Sequence, residues 1–195
     1  MARAGEVLEN PVSGQRLVFR ETSMETGGEL LRVEAVYTTP TRSRPPVHYH
    51  PHQEERFEVL SGTLRAVVDG EERSYGAGEA FTVPPGTPHE MWSEEEGVRL
   101  DWQTRPALRT EGFFETVWGL ARDGETDESG RPGLLQAAVI ARAYADEFRI
   151  AKPPWPVQRV VYGVLDPVGR LLGYRAVYPY PHDGRTQRGV PAVHE

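Results

Sequence analysis

Along the first hundred residues the apolar positions follow a period of two. In the segment 30–38, Leu31, Val33, Ala35 and Tyr37 alternate with Arg32 and Glu34, as expected for an antiparallel strand with one buried face. Segments 6–10 and 16–21 read as two earlier strands, separated by turns at Gly14 and Gly27-Gly28. Leu64, Ala66 and Val68 alternate with Arg65, Val67 and Asp69, and Asp69-Gly70 is a two-residue hairpin signal. Further turn signals at Ser61-Gly62, Gly76-x-Gly78 and Pro85-Gly86 make the strands short and numerous, the pattern of a sandwich or barrel. Val98, Leu100 and Trp102 supply a last inward face before Arg105-Pro106 ends the sheet.

After Pro106 the period becomes helical. Phe113, Phe114, Val117, Trp118 and Leu120 form one stripe, and Leu134, Ala138, Ala141, Ala145 and Phe148 form a second, with a polar loop between Arg122 and Pro132. A third stripe runs through Val157, Val160, Val161, Val164, Leu165, Val168, Leu171 and Leu172, after the Pro153-Pro154-Trp155-Pro156 boundary and with a further proline at Pro167. With two arginines, Arg159 and Arg170, as its only cations, this helix is expected to pack on the barrel or across a dimer and not on a membrane. The organisation predicted is a barrel over 1–106, a helical extension over 107–177 and a flexible tail over 178–195.

The length of 195 residues suits one domain with appendages. A net charge of -7 with dispersed basic residues argues against a nucleic-acid partner. No cysteine is present, which excludes disulfides and thiolate ligands and fits a reducing cytoplasm. No window is apolar enough for a signal peptide or a bilayer span.

Candidate chemistry lies in the histidines, four of whose six members fall between positions 48 and 89. His48 and His50 share one face of a strand, with Tyr49 on the other, so they form a ligand pair. Pro51 interrupts the ladder, and a carboxylate from the turn, Glu54, Glu55 or Glu58, closes back over them. Pro84, Pro85, Gly86 and Pro88 fix a tight turn that presents His89 inward. His52 is either an orienting group or an exposed turn residue, and Tyr37, Phe81, Trp92 and Trp102 are candidates to line an apolar pocket.

Segments 46–62 and 78–89 resemble the paired motifs of the cupins. The first gives His48-x-His50, four residues, Glu55, six residues, Gly62; the second gives Gly78, Pro84-x-Gly86 and His89 at family spacing. Arg42 and Ser93 stand where the family has a leading glycine and a closing asparagine, and neither position is a family metal ligand. The resemblance covers residues 29–105. It implies a mainly β fold, a double-stranded β-helix or jelly-roll barrel here followed by C-terminal α-helices. It favours Glu55 over its neighbours and makes His48, His50, Glu55 and His89 the metal ligands, with Glu55 also a candidate catalytic proton acceptor.

Imidazoles and a carboxylate suit a divalent Fe, Mn, Ni, Co or Zn ion. Four protein ligands leave an octahedral ion two open positions, which points to a metal-dependent, dioxygenase-like enzyme acting on a small organic molecule. A non-oxidative isomerase, decarboxylase or lyase and a sensor module without turnover are the alternatives. The resemblance also implies a homodimer.

Overall fold

The computed structural model describes residues 2–178. Up to residue 105 the chain is mostly strand: β1 (Val7–Asn10), β2 (Gln15–Glu21), β3 (Leu31–Tyr37), β4 (His48–Tyr49), β5 (Glu54–Ser61), β6 (Thr63–Val68), β7 (Glu71–Gly76), β8 (Ala80–Val83), β9 (His89–Trp92) and β10 (Val98–Arg105). Helices α1 (Thr110–Arg122), α2 (Leu134–Ala143) and α3 (Trp155–Leu171) follow, with a short strand β11 (Arg149–Ile150) between the last two. The strands form two antiparallel sheets, ordered β1-β2-β3-β10-β5-β8 and β11-β4-β9-β6-β7. This is the cupin fold expected above.

The period-two pattern becomes the core. Leu31, Val33, Ala35 and Tyr37 of β3 are all buried, and Val33 and Ala35 lie opposite Trp102 and Leu100 of β10. Leu17, Phe19, Phe57, Val59, Leu64, Ala66 and Leu100 complete the apolar layer between the sheets. Each such side chain contributes roughly 1.5–3 kcal/mol on burial. The β6–β7 hairpin turns at Asp69 and Gly70 with φ of 51° and 83°, the primed geometry that Asp-Gly favours. At Gly62 a Cβ would lie 2.7 Å from the Val98 side chain, so the motif glycine answers both a positive φ and a close approach.

One helical expectation needs correction. The second stripe was expected to run helically to Phe148, yet α2 stops at Ala143, and Tyr144 begins a turn. Residues 149–150 pair instead with β4, Arg149 opposite Tyr49 and Ile150 opposite His48. Tertiary pairing thus overrides a local helical period. In α3 the inward side is the polar one. Gln158, Asp166 and Gly169 are buried, while Val157, Val160, Val161, Val164, Val168 and Leu171 are exposed. Gln158 Nε2 donates to the Ile150 carbonyl at 2.8 Å, and Asp166 accepts from Arg170 Nε at 2.7 Å and lies 3.8 Å from Arg142. Pro167 sits inside the helix.

The predicted tail begins at Tyr178, whose hydroxyl donates to Gln136 Oε1 at 2.8 Å; its remainder, 179–195, lies outside the described residues. Among the described residues no helix is long and apolar enough to cross a membrane.

Helices α2 and α3 approach closely at Gly169, where a Cβ would stand 2.7 Å from Val139 Cγ2 and 3.2 Å from the Leu135 carbonyl oxygen. Gly169→Ala is therefore expected to destabilise the protein by about 1–3 kcal/mol through overpacking, despite the better helix propensity of alanine. Gly163→Ala, whose Cβ would meet only the flexible Arg142 side chain at 3.7 Å, is expected to stabilise by roughly 0.5–1 kcal/mol. Urea unfolding of both variants measures the contrast.

Candidate metal centre

The site forms where the two sheets face each other. His48 on β4 lies directly opposite His89 on β9 in one sheet, and Glu55 enters from β5 of the other. His50 stands just beyond β4, where the backbone leaves the ladder at Pro51; its carbonyl accepts from Gly86 N at 2.8 Å, binding the two motif turns together. Gln53, buried in the same turn, donates from Nε2 to the Pro106 carbonyl at 2.8 Å and to Thr110 Oγ1 at 2.7 Å. The turn between His50 and Glu55 is thus clamped to the start of α1.

Ring nitrogens of His48, His50 and His89 lie within 4.8 Å of one another. Each Nδ1 faces a backbone carbonyl: Pro46 at 2.9 Å for His48, Thr87 at 3.0 Å for His89, and Glu147 for His50. A carbonyl oxygen only accepts, so each Nδ1 carries a proton and a neutral ring turns the lone pair of Nε2 inward. Glu55 is fully buried. Its Oε1 accepts from Trp102 Nε1 at 2.9 Å, while its Oε2 stands 3.2 Å from His50 Nε2 and 3.0 Å from His89 Nε2.

Neither of those nitrogens nor Oε2 has an aligned hydrogen-bond partner. Buried lone pairs facing one another at this range repel unless they share a cation, either a second proton on an imidazole or a metal ion. Burial alone would raise the carboxyl of Glu55, but the His50 and His89 imidazoles outweigh it and hold the group well below the usual carboxylate range. For His50, burial is likewise outweighed, and the Glu55 carboxylate pushes the imidazole up. Burial pushes His48 well down, reinforced by repulsion from His89 and His50, which keeps its ring neutral. With an ion in place of the proton that Glu55 favours on His50, imidazole nitrogens beside an anionic carboxylate form a donor set that fits a divalent transition ion.

The competing carboxylates point elsewhere. Glu54 is exposed, and Glu58 accepts from Arg56 at 3.0 Å. His52 is exposed, 3.9 Å from Asp146. Arg42 lines a surface hollow of about 340 Å³ that includes none of the four candidate ligands, and the buried Ser93 fixes a turn by accepting from Glu95 N at 3.0 Å. Of the aromatic candidates, Trp102 reaches the site. Tyr37 is buried in the core, Phe81 stacks between Phe57 and Tyr75, and Trp92 lies under the Arg44 guanidinium at 3.6 Å.

Sequence reasoning missed two contributors. Phe148, hidden in a helical period, stacks on His48 at 4.7 Å between ring centroids and on Phe113 at 5.0 Å. Glu147, whose carbonyl holds His50, is 97 positions away in the chain, and no local pattern marks it.

Residues 35–102 match the model of the cupin domain, and this part of the chain belongs to the cupin superfamily. The chain is similar to an oxidoreductase of Arthrobotrys oligospora, 27% identical over 154 residues that cover 70% of this chain and 58% of that protein. It is also similar to the probable oxidoreductase yanE of Aspergillus niger, 30% identical over 156 residues, 71% of this chain and 59% of that protein. The chain thus spans under two thirds of the length of each. Among solved structures, an RmlC-like cupin from Shewanella frigidimarina aligns with a TM-score of 0.47 and 22% identity, covering 54% of this chain and 88% of that one.

Trp102→Phe removes the indole donor and little else. It leaves Oε1 of a buried carboxylate without its 2.9 Å partner, and is expected to cost about 1–3 kcal/mol of stability in the metal-free protein. Chemical denaturation of the two proteins side by side reads the difference.

Proposed function

We propose that the chain is a metal-dependent cupin enzyme of dioxygenase-like type acting on a small organic molecule, with His48, His50, Glu55 and His89 holding a divalent Fe, Mn, Ni, Co or Zn ion. The observation that carries this reading is the set of buried, unpartnered atoms, Nε2 of His50 and His89 and Oε2 of Glu55, around one point. The two relatives named as oxidoreductases support the redox class.

When bound, the ion supplies Lewis acidity and, if it is redox-active, a route for electrons. The chain supplies the rest. Three Nδ1–H bonds fix the imidazole orientations, and Glu55 neutralises part of the ionic charge. Trp102 and Phe148, the latter backed by Phe113, give the site an apolar border that suits an organic substrate. Glu55, ionised and buried, is also the candidate acceptor for a substrate proton, a role that would require its carboxylate to shift off the ion. In this reading residues 1–106 carry the ion, residues 107–177 close over it, and the protein works in the cytoplasm as a homodimer.

Elemental analysis of protein purified without chelator or nickel resin tests the metal. Near-stoichiometric transition metal is expected in the wild type and its loss in a His48→Ala/His50→Ala double variant. Failure of both to hold metal, even after reconstitution, overturns the reading. Oxygen uptake by the Fe(II)-loaded protein over a substrate panel tests the redox class, and turnover in the Zn form without oxygen uptake replaces it by Lewis-acid chemistry. Light scattering is expected to give twice the 21.9 kDa chain mass, and a monomer removes the dimer.

A further inference from the structure

The segment from Glu147 to Ile150 touches the candidate site at three points. The Glu147 carbonyl accepts from His50 Nδ1. The Phe148 ring lies over His48 at 27° and meets His50 edge-on at 6.1 Å. Ile150 pairs with the backbone of His48 itself, extended by the Ala151 N bond to the Val47 carbonyl at 2.8 Å. This strap is held from behind. Arg109, just ahead of α1, donates from Nε to Glu147 Oε1 at 2.8 Å and from Nη2 to Oε2 at 3.0 Å, and it also bonds the Ala143 carbonyl. The Glu147 carboxylate is buried, so this two-pronged pair sets where its backbone lies.

We propose that Arg109, Glu147 and Phe148 are positioning residues for the His48–His50 donor pair, so that the helical extension sets the metal affinity of the barrel. A ligand histidine depends on the acceptor at its other nitrogen for ring orientation and basicity. Here that acceptor, and the ring that fixes the neighbouring imidazole, both come from outside the segment 35–102 that matches the cupin domain. The inference rests on the metal-centre reading above.

Cobalt(II) titration of the chelator-stripped full chain, followed by affinity and visible absorption, provides the test. Arg109→Gln and Phe148→Leu are each expected to weaken Co(II) binding ~10–100-fold and to alter the absorption bands, with Arg109→Lys recovering part of the loss. Leu17→Ala, a core truncation on β2, is expected to lower the thermal midpoint while leaving affinity and bands unchanged. In the metal-free protein, the His50 Nδ1–H proton is expected to exchange slowly with water by nitrogen-15 NMR, and faster in Arg109→Gln. If Arg109→Gln does not fold, Phe148→Leu carries the affinity test alone. Wild-type affinity and bands in the strap variants overturn the inference. Absence of Co(II) binding by the wild type overturns the metal reading and, with it, the claim on affinity, and the NMR arm then shows separately whether the strap orients His50.

Discussion

A carboxylate taken wholly out of water must be compensated, and in this chain that requirement falls on Glu55. Burying an uncompensated carboxylate costs several kcal/mol. Glu55 meets two imidazole nitrogens and one indole N–H. Its neighbours are arranged to serve it: β4 and β9 bring His48 and His89 into direct register, and the Pro84–Pro88 turn is bound to the His50 carbonyl. The sandwich is built so that one sheet supplies the acid and the other the bases.

The helical third of the chain belongs to the same arrangement. Gln53 ties the turn between His50 and Glu55 to α1, Arg109 ties the start of α1 to Glu147, and Glu147 returns to His50, closing a ring of contacts around the site. α3 is anchored beyond it by buried polar groups, Gln158 on the Ile150 carbonyl and Asp166 beside Arg142. Hydrogen bonds and ion pairs here do the holding that an apolar stripe usually does.

How much of this was legible follows from the range of each interaction. Strand alternation is local, so β3, β6 and β10 were readable to within a residue or two, and the spacing of His48, His50 and His89 carried the candidate ligands. The choice among Glu54, Glu55 and Glu58 was not local, because Pro51 breaks the phase of the strand; it needed the family spacing, and the structure buries Glu55 alone of the three. Phe148 fitted a helical period equally well, and only pairing with β4 takes it out of the helix. For α3 the pattern found the helix and gave no means of seeing that its valines face outward.

The 97-residue separation between His50 and the Glu147 carbonyl also has a temporal side. Domains fold as they are made, from the N-terminus, at about 5–20 residues per second. The strands that bear His48, Glu55 and His89 have all been made once residue 105 has emerged, while β11 beside His48, the acceptor for His50 and the ring over His48 do not yet exist. For some seconds on the ribosome at that rate, His89 and Glu55 already have their Thr87 and Trp102 partners, while His50 lacks its acceptor and His48 the ring that lies over it. The last partners of the histidine cluster are thereby the last part of the site to be made.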